Sequence, residues 1–204
     1  MGGWRYLKGI TAYLPKANVD TDQLIPARFM SAPRSEGYGG YLLYDQRRDA
    51  NGQLTPSFPL NTEKKPSILI SERNFGCGSS REAAVYALVD AGFKAVIAPS
   101  FGDIFSSNSV NNGLLPLLLE EQDHAELVAR HKAQTDMPTE IDLKTCHLRL
   151  GSFERVFTLD ETWRLKLING WDDIDMTKKH LSSIKAFREK TFHVTPWAWP
   201  NGVK

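Results

Sequence analysis

The sequence predicts a single α/β domain with a mixed sheet. Three observations carry that expectation. Short apolar runs of strand length recur in the middle of the chain: "SILIS" (67–71), "KAVIAPS" (94–100) and "LLPLLL" (114–119). Stretches of helical character separate them, which is the rhythm of strands laid side by side with crossover helices. Beyond residue 139, "EIDLKTCHLRLGSFERVFTLD" alternates apolar and polar residues, as two or three antiparallel strands do, with Gly151 and Ser152 at a turn.

The elements follow in order. The first third reads as irregular, with "NVDTDQLIPARF" a turn followed by a short apolar segment. Residues 31–66 are rich in Pro, Gly, Ser and charge. So long a loop inside a compact domain points to function, and Tyr38, Tyr41 and Tyr44 are unusual in purely disordered sequence. By itself this loop has little to bury, and it is expected to stay mobile until a partner docks. After the strand at 67–71 comes a Gly-rich turn and a helix from about 80 to 91, closed by Gly92. "GDIFSSNSVNNG" suggests a short helix and a turn, and "EQDHAELVARHKA" an amphipathic surface helix. "TWRLKLING" is ambiguous between helix and strand. A helix around 177–190 repeats Leu181, Ile184 and Phe187 every three residues, and Pro196 prevents its continuation. Residues 160–204 thus form a C-terminal helical extension of one domain spanning 1–204.

Composition removes several function classes. Apolar residues at 41% and charged residues at 24% fit a soluble globular chain. Lys plus Arg number 25 against 24 for Asp plus Glu, so no bulk field favours nucleic acid or a membrane, and any anion site must be local. The N-terminus lacks the apolar run of a signal peptide, and no stretch approaches membrane-spanning length. Cys77 and Cys146 rule out a disulfide scaffold, though not one bridge, and point to a reducing cytoplasm. Two cysteines also cannot supply the three or four thiolates an iron–sulfur cluster usually takes. The five histidines (124, 131, 147, 180, 193) show no metal-ligand spacing, so no metal site is assigned.

The least ordinary stretch is "NFGCGSSREAAVYALVDAG" (74–92). Ser79 to Glu82 spells the S-x-x-E capping box, which by itself only starts a helix. The same geometry suits an anion. A helix N-terminus presents unpaired N–H groups, Gly76 and Gly78 clear the approach, and Arg81 can grip a carboxylate with two parallel bonds. Competing motifs fail. No lysine follows the glycines as a P-loop requires, both glycines precede the serines unlike a nucleophile elbow, and Arg81 fills the third glycine of a dinucleotide fingerprint.

With "NVDTDQLIPARF" upstream and "AGFKAVIAPSFGDIFSSNSVNNGLLPL" downstream, this motif resembles the swivel domain of the aconitase superfamily. The closer likeness is to the isopropylmalate dehydratase small-subunit family, over about residues 16–190. The resemblance implies an aconitase-type swivelling β/β/α fold. It implies a large-subunit partner carrying a [4Fe–4S] cluster, with no cofactor in this chain. It implies interconversion of 2- and 3-isopropylmalate, a small dicarboxylate, by loss and re-addition of water. Ser79 matches the family's catalytic base, and Ser80 and Arg81 match residues that bind a substrate carboxylate. Asp22 matches the aspartate that reaches the site, with the alternative that Asp20 and Asp22 only cap a turn. Arg34 lies where the family places substrate recognition, or is a solvated charge. One position departs: the family commonly has histidine after Arg-Glu, and this chain has Ala83. That leaves open a paralogue acting on citramalate, homoaconitate or dimethylmalate, and, from another class, a non-catalytic anion-binding assembly module.

Overall fold

A computed structural model describes residues 2–199; the end of the expected extension, 200–204, lies outside the described residues. Strands of both orientations are present, as the sequence predicts, and they are sorted into two four-stranded sheets. One is parallel, with β2 (Thr11–Leu14), β3 (Ile68–Ser71), β4 (Ala95–Ala98) and β5 (Leu115–Leu118) in sequential order. The other is antiparallel, in the order β1-β6-β7-β8, from β1 (Tyr6–Gly9), β6 (Thr139–Asp142), β7 (His147–Leu150) and β8 (Phe153–Val156). The chain passes from one sheet to the other at Ile10, whose carbonyl accepts from the N–H groups of Ser67 and Ile68. Neither β1 nor β2 is legible in the sequence, since neither belongs to a continuous apolar run bounded by turn residues, as β3 and β4 do.

The parallel strands are apolar on both faces because both are covered. Leu69, Val96 and Ala98 face a core built around α3 (Ala83–Asp90), while Ile68, Ile70, Ala95, Ile97, Leu115 and Leu117 face a second core shared with the antiparallel sheet. Pro116 is tolerated in β5 because that strand is an edge. α4 (Asp103–Asn111) and α5 (Glu121–Ala133) follow their predicted segments. Gly92, at φ +99°, closes α3 as expected, with Phe93 N–H returning to the Leu88 carbonyl.

"TWRLKLING" resolves as a helix, α6 (Glu161–Asn169). Asp160 caps it through the N–H groups of Thr162 and Trp163, and Gly170 ends it at φ +69°. The expected helix at 177–190 is two helices, α7 (Asp173–Lys178) and α8 (Leu181–Val194), and Leu181, Ile184 and Phe187 are exposed.

The 31–66 loop differs from expectation. Leu42 and Leu43 are fully buried, Tyr38 and Leu60 nearly so, and they join the core around α3. Asn61 ties the loop to itself, donating to the carbonyls of Arg47 and Thr55 and accepting from Arg47 Nε at 2.8 Å. A few leucines inside a charged, glycine-rich composition give this loop its own anchor.

Candidate active site

The parallel sheet delivers its glycine-rich turn to the ends of β2, β3 and β4. Beyond β3, Phe75 N–H donates to Ser100 O at 3.0 Å, Gly76 N–H to Val19 O at 2.7 Å, and Gly102 N–H to Phe75 O at 3.0 Å. Phe75 is fully buried and meets the rings of Phe101 and Phe105 edge-on, at 6.4 and 5.4 Å. Gly76 sits at φ +73°, and a Cβ there would run into the Phe105 ring. The turn is therefore fixed by backbone bonds on two sides and by aromatic packing beneath it.

A second segment is pinned against this turn. α1 (Thr21–Leu24) is capped by Asp20, whose carboxylate accepts from Gln23 N–H at 2.7 Å. Asp20 and Cys77 form an isolated parallel bridge, and Thr21 N–H donates to Cys77 O at 2.9 Å. The Thr21 side chain is 1% exposed. Its Oγ1 lies 2.7 Å from Ser79 Oγ and accepts from Ser79 N–H at 3.2 Å. Asp22 forms an ion pair with Arg81. Arg81 Nη1 is buried there without a hydrogen bond of good geometry. Ser79, Arg81 and Asp22 are thus brought together, and Ser80 is exposed beside them.

The capping box does not form. α3 begins at Ala83, and Glu82 already has helical angles and makes no cap bond. The Ser79 hydroxyl lies 2.7 Å from Thr21 Oγ1 instead of capping the helix, and Glu82 accepts from Asn112 Nδ2 at 2.7 Å. The Tyr86 hydroxyl is held above its ordinary pKa by burial first and then by its bond to Glu82. Among the described residues, the N–H groups of Ser80, Arg81, Glu82 and Ala83 donate to no protein acceptor. Such groups at the start of a helix are a ready anion site.

Arg34 is not brought to this cluster. Its guanidinium pairs with Asp90 through both terminal nitrogens, Nη2 at 2.8 Å from Oδ1, and lies 4.4 Å from the Tyr86 ring centre. Asp90 is the last residue of α3, about 10 Å along the helix from its first turn. The nearest carboxylate has captured this loop arginine. Sequence reasoning also missed four residues that line the open cleft of about 200 Å³ beside Ser79: Gly102, Asp103, the half-exposed Ile104 and Phe105, at the start of α4. It missed Thr21 as well, because a threonine between two aspartates reads as turn chemistry. Cys77 and Cys146 are free thiols, and among the described residues no group of three His, Cys, Asp or Glu side chains is disposed to hold a metal.

Comparison with known proteins places this chain in a family. Residues 1–122 match the aconitase C-terminal domain. The 3-isopropylmalate dehydratase small subunit of Shouchella clausii is 41% identical over 185 residues, covering 90% of this chain and 93% of the relative. That of Rhodopirellula baltica is 44% identical over 186 residues, covering 89% and 95%. The chain belongs to the 3-isopropylmalate dehydratase small-subunit family. A solved 3-isopropylmalate dehydratase structure from Methanocaldococcus jannaschii superposes with a TM-score of 0.61 at 25% identity, over 89% of this chain and 99% of that one. The aconitase-type α/β fold expected from the motifs is therefore the fold of this small-subunit family member. Small-subunit family membership fits an enzyme component that works with a large subunit and carries no cluster of its own. Its Ala83 is buried, 8% exposed, at the first turn of α3 and belongs to the core around that helix. No helix among the described residues is long and apolar enough to cross a membrane.

Proposed function

We propose that this chain is the small-subunit half of a cytoplasmic hydro-lyase that interconverts 2-isopropylmalate and 3-isopropylmalate in leucine biosynthesis, active only with its large subunit. The observation that carries the reading is convergence at the start of α3. The Ser79 hydroxyl lines an open cleft, and directly after it come the Arg81 guanidinium, paired with Asp22, and four N–H groups, of residues 80–83, without protein acceptors.

In this reading Arg81 and Ser80 hold one substrate carboxylate, and the Asp22–Arg81 pair sets the guanidinium plane. Ser79, as alkoxide, takes the proton from the carbon next to that carboxylate. The C–H electron pair becomes the new π bond as the hydroxyl on the neighbouring carbon departs with its bonding pair as hydroxide, which together with the proton now on Ser79 makes up the water lost. A free serine is a very poor base, so the alkoxide must be stabilised by donors already in place, as in an oxyanion hole. In re-addition to the other isomer, hydroxide bonds to the carbon that lost its proton, and the π pair takes a proton at the carbon that lost its hydroxyl. The residues of this chain do not fit an iron–sulfur cluster, so the [4Fe–4S] group belongs to the large subunit in this proposal, and no step here is routed through it. The 31–66 loop, fastened to α3 through Arg34 and Asp90, is the substrate- and partner-facing element of a single 1–204 domain.

Anaerobic reconstitution with the large subunit tests the proposal, following ultraviolet absorbance of the unsaturated intermediate over a panel of hydroxy diacids. Turnover of isopropylmalate is the expected result, and Ser79→Ala should lower kcat by about 10²–10⁴-fold. A complex that assembles with its cluster and turns over none of the panel refutes it.

A further inference from the structure

The contact between Thr21 and Ser79 has a direction that hydrogen-bond bookkeeping decides. Thr21 Oγ1 accepts from Ser79 N–H and lies within hydrogen-bond distance of Ser79 Oγ, and it has no other hydrogen-bond partner among the described residues. A threonine hydroxyl has one proton and two acceptor positions. With Ser79 as donor, the Thr21 proton would have no acceptor in a side chain that is 1% exposed, and such an unpaired donor is costly. With Thr21 as donor nothing is left unpaired, and Ser79 keeps its own proton free for the cleft it lines.

We infer that Thr21 is a positioning residue for the reaction, whose hydroxyl donates to Ser79 Oγ, fixes its direction and stabilises it as an alkoxide. This rests on the reading of Ser79 as base. As Ser79 loses its proton, the bond from Thr21 becomes charge-assisted, the stronger kind of hydrogen bond. A donor that favours the charged form makes Ser79 more acidic. The donor is rigidly held. The Thr21 N–H is bonded to Cys77 O, the Thr21 carbonyl accepts from Ile25 N–H at 3.0 Å, and β-branching restricts its rotamer. Burial keeps water from taking its place. Because elimination and re-addition both pass through the same serine, the same bond serves both directions.

Two variants of the reconstituted complex test this. Thr21→Val keeps the shape and removes the hydroxyl; it should lower kcat about 10²-fold and displace the rising limb of the pH–rate profile to higher pH. Thr21→Ser should restore most of both. A second measurement needs no turnover. In the isolated chain carrying Ser79→Cys, alkylation of the introduced thiol is followed against pH, with peptide mass spectrometry separating it from Cys77. Its titration should lie about one unit lower with Thr21 than with Thr21→Val. An unchanged kcat in Thr21→Val, equal losses in both variants, or identical thiol titrations would each overturn the inference. If the unsubstituted complex is inert towards every hydroxy diacid, the reading of Ser79 as base fails, while the thiol titration still decides whether Thr21 donates to position 79.

Discussion

Gly76→Ala isolates what the glycine-rich turn contributes, because the structure supplies its own control. At φ +73° an L-residue at position 76 costs about 1–2 kcal/mol from backbone sterics alone. The added methyl also meets the Phe105 ring, which is 2% exposed and stacked on Phe101, so the ring cannot swing into solvent. Overpacking of that kind adds about 1–3 kcal/mol. The total of about 2–5 kcal/mol is a large share of the stability of an ordinary domain. For a chain of this size each kcal/mol lowers Tm by about 2–4 °C, so a fall of about 4–20 °C is expected. Gly52 has nearly the same angle, φ +77°, with nothing within 4 Å of its added Cβ. Gly52→Ala should cost the backbone term only. Paired urea titrations followed by circular dichroism measure both. Equal losses in the two variants would refute the packing argument, since the shared angle would then explain everything.

Two further outcomes are expected. Arg81→Lys keeps the charge and loses the two-point grip, so kcat/KM for a dicarboxylate should fall about 10–100-fold, mainly through KM; steady-state kinetics of the reconstituted complex read this, and an unchanged KM counts against Arg81 as a carboxylate ligand. Glu140 lies between Lys8 on β1 and Arg149 on β7, and bonds from Arg149 first, then Lys8 and Tyr6, lower its pKa from 4.5 to about 2. The folded state therefore binds that proton less readily than the unfolded chain. Its contribution is fully present above about pH 4.5 and is lost as pH falls towards 2. Lys8 and Arg149 are each 55% exposed, and screening keeps the contribution under about 1 kcal/mol. Glu140→Gln should destabilise at pH 7 and be nearly silent near pH 2, and a gap that is the same at both pH values would sink this account.

The central elements were legible because each carries a local signal. Strands β3 to β5 are continuous apolar runs that only a doubly covered sheet needs, and Gly92 marks the end of α3 through a backbone angle that favours glycine. The site was legible as a list of side chains, and its wiring was not. S-x-x-E is a correct local argument for a capping box. The competing partner of Ser79 is Thr21, 58 positions away, and that of Glu82 is Asn112, 30 positions on. No window of sequence contains those pairs. The placement of Arg34 was hidden for the same reason. Its partner Asp90 is reached only after the loop folds back onto α3. The division into two sheets was likewise hidden, because it turns on Ile10, one residue between two four-residue strands.

That division sets a timetable for a chain made from its N-terminus. β2, β3, β4 and β5 neighbour one another in the order they are synthesised, so the parallel sheet can grow strand by strand. β1 is made before any of them, yet Gly9 pairs with Thr139 and Tyr6 with Asp142. At typical synthesis rates the first strand waits about 7–25 s for its only neighbour to be made. Towards the end of that interval, once Leu118 is made, the half bearing Thr21 and Ser79 has all its strands, while Tyr6 to Gly9 is still unpaired. The half bearing Thr21 and Ser79 is thus complete as a chain before the antiparallel sheet that starts with β1 can close.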